Sequence, residues 1–483
     1  MAIETERMSA VDAAWLRMDR PTNLMMIIGV IIFDGRIDFR RFRRAVRERF
    51  LKFPRFRCRA VQDAMSASWE PDPDFDLDLH VRKIALPSPA GQAELEALVS
   101  DLAGTDLDRR RPIWQFDVVE NFAGGSAVIL RIHHCYADGV AMVRVFLTLS
   151  DLEANPGVAT AAPDSTAADA AAPGDAESLP WLGRLHVPGA ALVQKAFTEG
   201  AQWFAKAADL TRNPEQANEL ARHALGIAVE LARVATLADD PPTRFKGELG
   251  TRKIAAWTDP LPLAEVKAVS KALGCTVNDL LMSTAAGALG AYLRSHGENT
   301  DGLTIRAAVP VNLRDPGAAA SLGNHFGLVF LELPIGIRDP LERLSVVHTS
   351  MAALKGSYQP VLTLGLMATL GMLPGSVEAA AIDLLSTKAT TVATNVPGPS
   401  QPIYMAGRRI SRMIFWVPQS GEIGLGISIL SYAGQVQFGL IADYKRIPDP
   451  DAVAAGFHQE FEKVVLSLLL GPFLNSGRRG ASG

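Results

Sequence analysis

The chain has 483 residues, 48% of them hydrophobic and 21% charged, with a formal net charge of −4. That composition describes an ordinary globular protein and gives no general attraction to nucleic acid. The length exceeds what one hydrophobic core commonly spans, so two domains plus connections are expected.

Cys58, Cys135 and Cys275 lie far apart with no C-x-x-C spacing, so neither a disulfide framework nor a metal site is expected and a reducing compartment fits. The N-terminal residues are charged and lack an apolar run, so no signal peptide is expected and the chain reads as cytoplasmic.

In chain order, Met8–Arg17 has the apolar spacing of a short amphipathic helix. The apolar run Leu24–Phe33 is too short to span a bilayer and turns at Asp34-Gly35, so it reads as a strand. Asp38 then caps a basic helix, whose Phe39, Phe42, Val46, Phe50 and Phe53 form a buried stripe. Its arginines could face anionic lipid, the phosphates of a ligand, or only water. Pro54–Val61 reads as a strand and Gly91–Ala103 as a helix. Arg111-Pro112-Ile113-Trp114 opens a strand that ends near Glu120, and Gly124-Gly125 turns the chain back.

The next strand, Ala127–Ile132, runs into His133-His134-Cys135-Tyr136-Ala137-Asp138-Gly139, and a helix follows over Val140–Leu149. Two histidines therefore sit at a strand end. Side chains alternate across a strand, so His133 and His134 point to opposite sides. Asp138 fits a helix N-cap and Gly139 a tight turn into the helix. Cys135 lies inside this pattern and could be a nucleophile or a filler residue.

Glu153–Gly189 is rich in Ala, Pro, Asp, Ser and Gly without apolar periodicity, the composition of a linker. Two amphipathic helices follow over Ala191–Leu237, split at Asn213-Pro214. A second domain is expected from Thr243. It starts with a strand over Gly250–Trp257 and helices over Leu263–Leu273 and Thr276–Leu293. The second of these opens on a capping box, with Thr276 at the N-cap and Asp279 at N3. Strands over Ile305–Asn312 and Gly327–Leu333 and a helix over Pro340–Ala353 come next. The charge-free stretch Gly356–Val377 carries Pro360, Gly365, Gly371 and Pro374, and reads as a buried or membrane-surface helix ending near Gly371–Gly375. A strand over Thr387–Asn395 ends in the turn Pro397-Gly398-Pro399. Arg408–Val417, Gly424–Tyr432 and Gln435–Asp443 read as successive antiparallel strands, and Ala452–Leu470 as the last helix. The tail from Asn475 is polar and glycine-rich, and is expected to be disordered.

The His133–Gly139 pattern, H-H-x-x-x-D-G, resembles the signature of the CoA-dependent acyltransferase superfamily. Further strings resemble the bacterial wax ester synthase/acyl-CoA:diacylglycerol acyltransferase family. Arg111-Pro112-Ile113-Trp114 is similar to its P-L-W segment, with Ile113 in place of Leu. Thr276-Val277-Asn278-Asp279 is similar to its N-D motif. Thr394-Asn395-Val396-Pro397-Gly398-Pro399, then Ser431–Gly434 with Asp443 and Pro448-Asp449, follow in family order. The Glu153–Gly189 insert and the helices after it have no match among these strings.

The resemblance implies an α+β (mixed α/β) fold of two chloramphenicol-acetyltransferase-like domains with a substrate tunnel between them. The expected division is 1–152 for the motif-bearing domain, 153–242 for linker and connecting helices, 243–472 for the second domain and 473–483 for a flexible tail. It implies transfer of a fatty acyl group from acyl-CoA, as substrate, to the hydroxyl of diacylglycerol or a long-chain alcohol, without a bound cofactor or metal. It assigns the general base to His134. By the strand alternation His133 packs on the other side, and Asp138 holds the turn or, as in a triad, fixes the imidazole tautomer. Gly139, Pro112 and Trp114 belong to structural motifs. Asn278, Asp279 and Asn395 are candidates for the oxyanion site or tunnel. A peripheral place at the inner membrane or a lipid droplet, with no nucleic-acid partner, goes with that reading. Two alternatives are a condensation- or polyketide-type acyltransferase, for which no carrier-protein surface is visible, and a non-catalytic lipid-surface protein, against which the intact motif argues.

Overall fold

Alternating apolar residues build two large sheets, which the computed structural model describes over residues 4–63, 67–154, 236–313, 322–355, 357–371 and 375–479. Most of the expected linker and the helices over Ala191–Leu237 lie outside the described residues.

The first sheet has the order β13 (Tyr404–Met405), β14 (Arg408–Trp416), β2 (Met26–Phe33), β7 (Ala127–His133), β6 (Trp114–Val119) and β5 (Val81–Ile84). Every residue of β2 is buried, so both faces of this sheet are covered. Ile27 and Ile31 share one core with Phe42 and Val46 of α2 (Phe39–Glu48) and Met142 and Val145 of α4 (Gly139–Leu149). Ile28 and Val30 face the other way, against Leu95 and Val99 of α3 (Gln92–Ala103). The period of two along the strand produces this split.

One expectation is corrected here. Arg408–Val417 does not form a meander with the two strands after it. As β14 it pairs antiparallel with β2, Met413 opposite Ile31 and Phe415 opposite Gly29. Local pattern shows that a segment is a strand but not which edge it joins. That edge is set by burial, and Ile414 and Trp416 complete the core on the α3 side.

The second sheet runs β11 (Phe326–Leu333), β10 (Ile305–Asn312), β12 (Thr391–Pro397), β15 (Leu425–Tyr432), β16 (Gln435–Asp443) and β8 (Lys253–Trp257), with β9 (Leu261–Pro262) also on β16. β12 is parallel to both of its neighbours, and β15 and β16 form an antiparallel hairpin. One face packs on α5 (Leu263–Ala272), α6 (Val277–Ser295), α7 (Pro340–Leu354) and α10 (Pro450–Arg479), with Ala307, Val309 and Val311 in that core. The capping box of α6 forms: the Thr276 hydroxyl accepts from the Asp279 N–H at 3.1 Å and the Asp279 carboxylate from the Thr276 N–H at 3.0 Å. α10 continues through Arg479, so the expected tail is helical past Asn475 and Gly471-Pro472 does not end the helix. A small third sheet joins β1 (Glu6–Arg7), β4 (Ala67–Pro71) and β3 (Cys58–Gln62).

The charge-free stretch forms α8 (Gln359–Leu370), closed by Gly371, and a second helix not foreseen from sequence, α9 (Gly375–Ser386). Protein buries α8. A Cβ on Gly327 of β11 would stand 1.7 Å from the Pro360 carbonyl oxygen, and one on Gly371 would stand 1.8 Å from that of Ala10. These glycines let α8 lie directly on β11 and on α1 (Ala10–Arg17). Among the described residues no helix is long and apolar enough to cross a membrane.

Candidate active site

The two histidines at the end of β7 have opposite surroundings. His133 is 1% exposed. Its Nδ1 accepts from the Cys135 N–H at 3.1 Å, so its Nε2 carries the proton and donates to Asp19 at 3.1 Å. Asp19 also accepts from the Met25 N–H and from Arg109. Burial raises the Asp19 pKa, but the hydrogen bonds from His133 and the Met25 N–H and the Arg109 charge together hold it below the usual carboxylate value. His133 is thereby locked into the wall.

His134 turns the other way and lines a large cavity. Its N–H donates to the Met25 carbonyl at 2.7 Å, and its own carbonyl accepts from Asn324 Nδ2 at 3.0 Å. The imidazole stacks on Trp15 with ring centres 4.2 Å apart and meets Phe326 at 5.6 Å. Among the described residues its Nδ1 is buried with no hydrogen-bond partner. Burial pushes its pKa down to about 4, against an opposing pull from the Asp138 carboxylate. The ring is therefore neutral at pH 7 and has a lone pair with which to accept a proton.

The rest of the motif is held from both sides. Tyr136 accepts from the Ile113 N–H at 3.0 Å and donates to the Cys58 carbonyl at 3.1 Å. Cys135 is fully buried, and burial raises its thiol pKa well above the ordinary value, so it is not a thiolate. Asp138 caps α4, one carboxylate oxygen accepting from the Ala141 N–H at 2.9 Å. Its second oxygen accepts from the His325 N–H at 2.9 Å. The segment before β11 thus clips onto the motif, and Gly323 completes the clip by donating to the Tyr136 carbonyl at 3.0 Å.

The cavity encloses about 1330 Å³ of empty space, counting what opens to solvent. The face of the second sheet turned away from its helices forms much of the wall, including Ala308, Pro310, Phe330 and Val392. Asp138 and Gly139 also line it, as does Asn395, whose Nδ2 donates to Asn278 Oδ1 at 2.7 Å. A second apolar cavity lies between α4 and the first sheet, and Gly139 and Phe415 line both.

Other candidates lie off this space. Asn278 is buried at the start of α6 and reaches it through Asn395. Asp279 is occupied by its capping box and by His348 Nδ1 at 2.7 Å. Trp114 donates to the Phe56 carbonyl at 2.8 Å inside an aromatic cluster with Phe50 and Phe116, and Pro112 is buried beside it. Sequence reasoning did not single out Trp15, Asn324 or Asp12. Trp15 read as one apolar position of a helix. Asn324 lies in a segment with no pattern. Asp12 resembles the ordinary acidic residue of a helix's first turn; only its 1% exposure sets it apart.

A buried neutral imidazole in the wall of an apolar cavity suits proton abstraction from a hydroxyl on a lipid, out of water. Comparison with known proteins agrees on the class. The model of the wax ester synthase/diacylglycerol acyltransferase catalytic domain matches residues 8–281, and that of the family's C-terminal domain matches residues 322–464. The chain is 29% identical over 470 residues to a Mycobacterium tuberculosis protein named "Probable diacyglycerol O-acyltransferase tgs1", covering 95% of each. Its fold is similar to the wax ester synthase/diacylglycerol acyltransferase of Marinobacter aquaeolei VT8, with a TM-score of 0.65 at 21% identity over 96% of this chain and 99% of that one. It is also similar to the first condensation domain of the calcium-dependent antibiotic synthetase, with a TM-score of 0.60 at 15% identity and 96% coverage of each chain.

Proposed function

Since the chain belongs to the wax ester synthase/diacylglycerol acyltransferase family and is an O-acyltransferase, we propose that it moves a long-chain acyl group from acyl-CoA to the hydroxyl of diacylglycerol, with long-chain alcohols as further acceptors. The observation that carries this reading is the neutral, stacked imidazole of His134 in the wall of an apolar cavity.

In this reaction His134 takes the acceptor's hydroxyl proton as its oxygen attacks the thioester carbonyl. The carbon–oxygen bond forms, the carbon–sulfur bond breaks, and His134 returns the proton to the departing thiolate. No acyl-enzyme is formed. Asn395, held by Asn278, is the candidate donor to the oxyanion. The second cavity, which shares Gly139 and Phe415 as lining with the first, supports a reaction that must accommodate more than one hydrocarbon chain. The exposed arginines of α2, Arg40, Arg44 and Arg47, support peripheral attraction to an anionic membrane or droplet surface.

The test uses purified protein with labelled palmitoyl-CoA, offered diacylglycerol and, separately, hexadecanol. Labelled triacylglycerol or wax ester is expected from the wild type and not from His134→Ala. No ester with either acceptor, or equal ester from both proteins, would reject the reading.

A further inference from the structure

Helix α1 reaches His134 by two routes. Asp12 and Trp15 are three residues apart, so they share one face of the helix. Trp15 covers the imidazole, with ring centres 4.2 Å apart. Asp12 works at one remove. One of its carboxylate oxygens accepts from the Asn324 N–H at 3.2 Å and from Asn324 Nδ2 at 2.9 Å. The same Nδ2 donates to the His134 carbonyl at 3.0 Å. An amide NH₂ has two hydrogens, so both are in use.

Asp12 is costly where it stands. It is 1% exposed, and its nearest cation, Arg55, lies 3.7 Å from the second oxygen. A buried carboxylate is tolerated where it does something that a smaller or apolar residue would not. Here it fixes the rotation of the Asn324 side chain and thereby the peptide plane of His134. The neighbouring bonds do not replace it. The Met25 carbonyl holds the N–H side of His134, and the Asp138 carboxylate holds His325 rather than Asn324. Among the described residues only Asn324 bonds the carbonyl side of the base.

We propose that Asp12, acting through Asn324, is a positioning residue for His134. Neither side chain touches substrate. Together they set the angle at which the imidazole leaves the end of β7, while Trp15 fixes its face. A small misplacement of a reacting group costs rate far more than binding, so the signature is a loss in kcat with little change in KM. The inference rests on His134 being the base, and the experiment separates the two.

Steady-state kinetics with palmitoyl-CoA and diacylglycerol would be measured for Asp12→Ala, Asp12→Asn, Asn324→Ala, the Asp12→Ala/Asn324→Ala pair, and His134→Ala, with circular dichroism and Tm for each. The expected result is a kcat loss of about 10- to 100-fold for each single alanine variant, with KM within about threefold. Asp12→Asn keeps an acceptor oxygen and recovers most of the rate. The pair loses no more than the worse single variant, because both act through one path. Multiplicative losses in the pair, or a lowered Tm with unchanged kcat, would overturn the proposal. If Asp12→Ala fails to fold, Asn324→Ala and Asp12→Asn carry the test: a normal kcat in Asn324→Ala overturns the proposal. Full activity in His134→Ala would instead remove the base assignment on which the inference stands.

Discussion

The two large sheets use their faces differently. The first is covered on both sides, by α2 and α4 on one, where the second cavity remains between α4 and the sheet, and by α3 on the other. The second packs four helices on one side and on the other, among the described residues, meets α8 and α9 at a small cluster around Ala308, Phe330 and Leu362, leaving much of that face to the cavity. The strand end that carries the base and the larger of the two cavities therefore belong to different sheets. A base must be held within a fraction of an ångström, and the closely packed sheet supplies the strand end that holds His134. A lipid needs apolar volume, which only an incompletely filled face can offer.

The sharpest break in that comparison is His134→Ala. It should lower kcat by about 10²- to 10⁴-fold, the range for a lost general base, while circular dichroism stays that of the wild type. Next comes a matched pair on β10. Ala308→Phe fills the cavity side and should cut kcat/KM for palmitoyl-CoA by about tenfold or more, with a small change in Tm. Ala307→Phe, one residue earlier, enters the helix-packed core and should destabilise by about 1–3 kcal/mol or prevent folding. Equal effects of the two on stability would break the comparison. His133→Leu should act on the rigid side: a stability loss of about 1–3 kcal/mol in chemical denaturation, with less than about a tenfold loss of kcat. Asp138→Ala removes both the cap of α4 and the acceptor for His325 and should cost about 1–2 kcal/mol, more than Asp138→Asn, which keeps one acceptor.

A further effect concerns pH. His134 must be neutral to act as a base, and burial lowers its pKa to about 4. The acid limb of kcat/KM should therefore fall below the ordinary histidine value of 6.5. The same shift has a stability sign. Between about 6.5 and 4 the unfolded chain holds a proton that folded His134 does not, so stability falls as pH drops through that window. Denaturation of His134→Ala across that range should show a shallower slope than the wild type, and an equal slope would remove this account.

Much of the site's grammar was legible along the chain. The alternation of Ala127–His133 separates the two histidines, and the spacing from His134 to Asp138 places a cap at the start of α4. The capping box at Thr276 and Asp279 was readable for the same reason, since its partners are three residues apart. Trp15, Asn324 and Asp12 were not readable as one group. They come from segments some 300 residues apart, and their bonds exist only when the segments meet.

The sequence by itself determined elements whose causes are local: the motif strand, the caps, the apolar periods and the order of family strings. The tertiary structure decided what distant segments do to one another. It placed β14 beside β2, some 380 residues away in the chain, and clipped residues 323–325 onto the motif. It also left a cavity on one face of the second sheet. Local pattern can say that a side chain leaves a strand on a given side. It cannot say whether that side meets a helix, as for Ala307, or empty space, as for Ala308, because that depends on volume contributed by residues far along the chain.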